Sequence, residues 1–228
     1  MANPTIAKKT STLTNEDIKS AYIDYVLSND EPPKSVYDFA KKIKITEAEF
    51  YNHYASFMAI EKSVWAELTE RAIAEVPSQP TWKEYSSREK ILSFFYAYIE
   101  LLKTQRSFVI YSLKKSKSKF STPAVLEDVK PLFIAFSESV IHSGLESGEL
   151  ADRKFFSGKY KDALWLQLAF IINFWKNDDS DGFEKTDEAI EKGVKVTFDL
   201  FQRSPLDNFF EYGKFLVRNA KLKEKMGF

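Results

Sequence analysis

The chain has 228 residues, 44% of them hydrophobic and 15% aromatic, which is enough for a full core and for a small head beside a larger domain. Its 33 Lys and Arg balance 33 Asp and Glu, so no global charge draws it to nucleic acid or to an anionic membrane surface, and only local patches remain for either. Cysteine is absent, which excludes disulfides, thiol catalysis and zinc-finger chemistry and is compatible with a reducing cytoplasm, the expected location.

The opening MANPTIAKKTSTLTNED lacks an apolar stretch of signal-peptide length and reads as a short polar arm carrying Lys8 and Lys9. Thr14 and Asp17 then cap a first helix, whose Ile18, Ala21, Tyr22, Tyr25 and Val26 share one face at helical spacing. Ser35 with Asp38, and Thr46 with Glu49, repeat this capping pattern ahead of two more apolar runs. Helix starts only eleven residues apart leave room for a tight helix-turn-helix and nothing longer. In such a module the third helix is presented to the major groove.

Downstream the pattern is helix after helix. One is expected over 56–76, ended by Pro77 and Pro80, one from Ser86 or Ser87 to about 105, and a shorter one over 107–115. Pro123 opens the next, and Pro131 inside it predicts a kink over 128–131. Helices over 159–175 and 183–201 follow, and Ser204 and Pro205 start a last one reaching about 225. The run ALWLQLAFIINFW at 163–175 is too short for a membrane span, which needs about twenty residues, so no membrane insertion is expected. A helix apolar on nearly all sides must be covered on nearly all sides. The expected architecture is therefore all-α, with a helix-turn-helix head of DNA-binding type and its arm over 1–55 and a larger helical domain over 56–228.

Val36, Phe39, Ala40, Ile45, Thr46, Phe50, Tyr51, His53 and Tyr54, followed by Ser56 as the cap of the fourth helix, resemble the signature of the tetracycline-repressor (TetR) regulators. That resemblance implies a homodimer with a DNA-binding head and a divergent ligand-binding domain, in which a small molecule relieves repression. It implies that Thr46, Glu47, Tyr51 and His53 face the groove of double-stranded DNA or its phosphate walls, with Ser35, Lys41, Lys42 and Lys44 on the backbone. Three features depart from the family pattern. Lys44 occupies the turn position where Gly is usual, so the turn either avoids positive φ or tolerates strain. Phe57 stands where a Lys normally holds a phosphate. Glu47 and Glu49 bring negative charge to the recognition helix, where Glu can accept from cytosine but is repelled by phosphate.

The resemblance also implies a pocket for an apolar or amphipathic small molecule, for which Phe95, Tyr98, Phe108, Tyr111, Phe133, Phe136, Trp165 and Phe170 are the candidate lining. The expected dimer interface uses Leu164, Leu168, Ile171, Ile172 and Trp175, with Ala189, Val194 and Phe198 from the following helix. Residues 174–193, through Trp175, Asp179, Ser180 and Thr186, also look like the C-terminal part of a lipid-binding accessory protein of ubiquinone biosynthesis. That likeness implies the alternative function, a protein of the same fold that binds a lipid or other apolar ligand and no DNA.

The remaining constellations point to no chemistry. Asn177, Asp179, Asp181, Gly182 and Glu188 have the spacing of a calcium loop, but read more simply as an acidic connection between helices. Lys114, Lys115, Lys117 and Lys119 read as a solvated helix end. His53 and His142 are the only histidines and no phosphate loop or nucleophile elbow occurs, so neither an enzyme, a cofactor nor a metal is expected.

Overall fold

The computed structural model describes residues 13–114, 122–153 and 157–202, and among these it contains helices and no strand. Lys8, Lys9, Lys115, Lys117, Lys119 and the helix expected from Pro205 lie outside the described residues. The α-helices, in chain order, are α1 Asn15–Asn29, α2 Val36–Lys42, α3 Glu47–His53, α4 Phe57–Glu75, α5 Ser87–Thr104, α6 Arg106–Lys114, α7 Val129–Glu146, α8 Tyr160–Lys176 and α9 Glu184–Phe201. No helix among the described residues is long and apolar enough to cross a membrane.

The chain divides into two compact units. One takes the residues up to Glu67 together with Leu102–Val129, and the other takes Leu68–Leu101 together with the residues from Lys130 on. The first unit is built around four rings: Tyr22 stacks on Phe57 at 5.1 Å between ring centroids, and Phe39 meets Tyr22, Phe50 and Phe57 edge-on at 6.0, 6.1 and 5.5 Å. Such pairs add about 0.5–1.5 kcal/mol each beyond their buried area. Ile18 and Val26 of α1, Val64 and Trp65 of α4, and Phe108 and Val109 of α6 complete this core. The Trp65 indole donates to Ser112 Oγ at 2.9 Å, so its one polar atom is satisfied inside.

In the second unit α5, α7 and α8 meet through aromatic side chains. Phe94 lies 5.2 Å from Phe133 and 5.0 Å from Phe136, Phe95 stacks on Phe133 at 6.1 Å, and Trp165 sits 6.3 Å from Phe133. The start of α5 is fixed twice. Ser86 and Glu89 form a reciprocal cap, with Ser86 N donating to Glu89 at 2.8 Å, and the Ser87 amide donates to Glu149 at 2.8 Å. A carboxylate at a helix start also complements the helix dipole.

The kink expected near Pro131 does not form. The chain makes a short 3-10 turn at Ala124–Leu126 and begins α7 only at Val129, so Pro131 lies in the first turn. The first four amides of a helix have no acceptor within it, and a residue lacking N–H loses nothing there.

The connection between α8 and α9 is a hydrogen-bonded corner. Asp178 accepts from the Ser180 amide and hydroxyl at 2.9 and 2.6 Å and from the Thr186 amide and hydroxyl at 2.9 and 2.6 Å. Gly182 takes a left-handed conformation at φ 61°, and Phe183 does so at φ 67° despite its side chain. The calcium pattern dissolves here, because Asn177 donates to the Asn173 carbonyl and Asp179 is exposed opposite Lys185, 4.0 Å away. Among the described residues no group of three or more His, Cys, Asp or Glu converges to hold a metal ion.

Candidate nucleic-acid interface

Three caps shape the head. Thr14 and Asp17 form a full reciprocal cap on α1, as Thr46 and Glu49 do on α3, while Ser35 accepts from the Asp38 amide at 3.1 Å to start α2. In the α3 cap, Glu49 accepts from the Thr46 amide at 2.7 Å and from its hydroxyl at 2.8 Å. Those two bonds, the backbone one first, hold the Glu49 carboxyl below its ordinary range. Thr46 and Glu49 thus both hold the start of the helix.

The turn between α2 and α3 resolves the question raised by Lys44. Ile45 N donates to the Ala40 carbonyl at 3.0 Å and Lys44 N to the Lys41 carbonyl at 3.3 Å, the paired bonds of a Schellman motif. That motif requires a left-handed residue after the helix cap, and Lys44 supplies it at φ 64°. A side chain in that conformation costs roughly 1–2 kcal/mol relative to glycine. Lys41, Lys42 and Lys44 are all exposed, and Lys42 Nζ lies 4.4 Å from the centre of the Tyr25 ring.

On α3, Phe50 and Tyr54 point into the core. His53 Nδ1 is hydrogen-bonded to the Asn15 side-chain oxygen, and the Tyr54 hydroxyl donates to the Asn15 carbonyl at 3.2 Å. The end of α3 is therefore clasped to the start of α1. His53, expected to face the groove, is half-buried and spends its Nδ1 on this tie. Besides Glu49 of the cap, the exposed residues of α3 are Glu47, Ala48, Tyr51 and Asn52. Glu47 and Tyr51 were expected there. Asn52 was not, although its place one residue from Tyr51 and five from Glu47 follows from helical spacing once Phe50 is known to be buried. Tyr37 near the start of α2 is also exposed. Phe57, where a phosphate-holding Lys is usual, is a member of the four-ring core.

The other expected residues fall into separate places. Phe95, Tyr98, Phe133, Phe136 and Trp165 come together in the second unit, with rings packed against one another, and Thr69 donates to the buried Tyr98 hydroxyl at 3.1 Å. Phe108 and Tyr111 belong to the first unit, 6.4 Å apart. Phe170 lies on the surface, 56% exposed, and does not join the cluster. Leu164, Leu168, Ile171, Ile172, Trp175, Val194 and Phe198 are buried within this chain, and Ala189 is half-buried. The apolar residues left outward on these two helices are instead Leu166, Phe170, Val196 and Leu200, at 71, 56, 60 and 66% exposure. A helix apolar all round carries no periodicity that says which side meets its own chain, so α8 alone could not reveal this division.

Residues 90–216 match the family model described as "Tetracyclin repressor-like, C-terminal domain". The chain belongs to the TetR family. Its fold is also that of a protein of unknown function from Rhodococcus sp. RHA1, at 10% identity and a TM-score of 0.54 over 86% of this chain and 100% of that one. A proposed tetR family transcription regulator from Shewanella sp. PV-4 shares it at 10% identity and a TM-score of 0.51, covering 83% of this chain and 98% of that one. No curated protein matches the sequence significantly. The fold is thus that of TetR-family transcription regulators, with the helix-turn-helix outside the matched region and identifiable from its own caps and turn.

Proposed function

We propose that this TetR-family chain is a ligand-responsive transcriptional regulator of the cytoplasm, a repressor that binds double-stranded DNA as a homodimer. The observation that carries this reading is the outward strip of α3, braced from behind by Phe50 and at its end by the clasp to Asn15. A short helix held this firmly at both ends keeps its exposed side chains in register with a groove, which is what base readout requires. Lys41, Lys42 and Lys44, exposed beside the same turn, supply phosphate contacts, with Ser35 at the start of α2.

Homodimerisation rests on the exposed apolar residues Leu166, Phe170, Val196 and Leu200, which a second copy of the chain would cover in the proposed dimer. Ligand control rests on family membership and on the aromatic cluster of the second unit, whose chemistry suits an apolar or amphipathic molecule. Enrichment from a pool of random duplexes at low salt tests the central claim. A two-fold symmetric motif is the expected result. If no sequence is enriched, the repressor reading falls and a ligand-binding protein of the same fold without DNA readout takes its place.

A further inference from the structure

The polar groups of α3 divide into two sets. Thr46 and Glu49 are bound to each other, and His53 and Tyr54 are bound to Asn15. Glu47, Tyr51 and Asn52 are exposed and make no hydrogen bond among the described residues. The free set contains neither Lys nor Arg, so the strip has no cationic donor for the O6 and N7 acceptors of guanine. Glu47 can only accept, and Asn52 both accepts and donates. In the major groove the bases that offer a hydrogen are those with an exocyclic amine, cytosine at N4 and adenine at N6.

We infer that Glu47 and Asn52 set the base preference of this protein, Glu47 by accepting from a cytosine amine and Asn52 by bridging N6 and N7 of an adenine. The inference rests on the DNA-binding reading above. Five residues of helix separate the two side chains, a rise of about 7.5 Å, which corresponds to about two base steps of 3.4 Å when the helix axis follows the groove. Ala48 stands one turn before Asn52 in the same column, small enough to lie against a thymine methyl. Glu47 has a second consequence of opposite sign: it repels phosphate, so it lowers affinity for every sequence while favouring cytosine at one position.

The test is selection from random duplexes with the full chain and with two variants, N52A and E47Q, whose exposed positions leave the head core untouched. The unaltered protein is expected to enrich half-sites holding a cytosine and an adenine about two steps apart. N52A is expected to lose discrimination at the adenine position by about 5- to 150-fold and to keep the rest of the motif. E47Q is expected to change the cytosine position to adenine, since a glutamine amide pairs with adenine in the same bidentate way, and to bind unrelated DNA more tightly. Circular dichroism confirms that each variant is folded. A motif in the unaltered protein that survives both substitutions unchanged overturns this assignment while leaving DNA binding intact. No motif in any of the three proteins overturns the DNA-binding reading, and the assignment with it.

Discussion

The Tyr22 hydroxyl of α1 donates to the Glu61 carboxylate of α4 at 2.6 Å, with both side chains fully buried. Burial, then the Glu61 bond and charge, push the Tyr22 hydroxyl far above its ordinary pKa, so it stays a donor at any physiological pH. Beside it Lys19, itself buried, pairs with Glu16 at 2.6 Å and Glu67 at 2.5 Å. The first helix of the head is thus tied to α4 by polar groups as well as by rings. Tyr22→Phe should destabilise the protein by about 1.5–3 kcal/mol, the range for a buried hydrogen bond to a charged group. Glu61→Gln should cost less, because the amide oxygen still accepts. Urea midpoints for the two variants, ranked the other way round, would show that the pair is not what holds this corner.

Lys44 carries two opposed effects. Replacing it with glycine relieves the left-handed strain and should stabilise the head by about 1 kcal/mol. The same change removes a cation beside the recognition helix, so the salt dependence of DNA binding should flatten by about one unit per head. Thermal melts and binding at several salt concentrations, run on the same Lys44→Gly protein, separate the two. Unchanged stability would mean that the Schellman turn relaxes around the lysine.

In the proposed homodimer, Leu166→Glu and Val196→Glu should each leave a folded monomer. Each substitution is repeated in both copies and places a charge where about 1.5–3 kcal/mol of burial is expected per side chain, so dissociation should weaken the dimer on the order of a hundredfold or more. Ile171→Glu, by contrast, attacks a side chain already buried within the chain and should unfold it. Light scattering with circular dichroism distinguishes these outcomes. A monomer in the unaltered protein at micromolar concentration rules out the dimer.

Asp178 gives the α8–α9 corner a defined acid dependence. Burial pushes its carboxyl up, but the hydroxyls and amides of Ser180 and Thr186 together outweigh this and hold it well below the ordinary value of 3.8. A carboxyl with a depressed folded pKa contributes stability fully above the unfolded value, and that contribution is lost as pH falls through the folded one. Asp178→Asn should therefore lower the melting temperature by a constant amount above about pH 5 and by progressively less below pH 4. A difference between the two proteins that does not shrink on acidification contradicts the role assigned to these bonds.

The aromatic cluster tests ligand control. A molecule that binds it should raise stability by about 2.7 kcal/mol at a hundredfold excess over its dissociation constant and should also release DNA. Phe133→Ala opens the centre of the cluster, should cost about 3–5 kcal/mol, and should change the response to such a ligand. Extraction of the purified protein followed by mass spectrometry finds a retained apolar molecule without assuming its identity. Ligands that stabilise the Phe133→Ala variant as they do the unaltered protein bind elsewhere.

The sequence by itself determined whatever is encoded within a few neighbouring residues. Thr14 with Asp17 and Thr46 with Glu49 close their caps in the structure as their spacing requires, because a capping box needs only four consecutive residues and no partner from elsewhere. The helix-turn-helix follows from the same local rule. Tertiary structure decided every question of direction. His53 was legible as part of a family pattern, but its use as a clasp depends on Asn15, 38 residues away. Pro131 implies a kink only in a helix that starts near Pro123, and the 3-10 turn at Ala124–Leu126 sets the start of α7 at Val129 instead. On α8, Leu166 and Ile171 are equally apolar, yet one is exposed and the other buried. Hydrophobicity says that a side chain leaves water and not which surface it leaves water for, and that choice is made only when α9 packs against one side of α8 and leaves the other open.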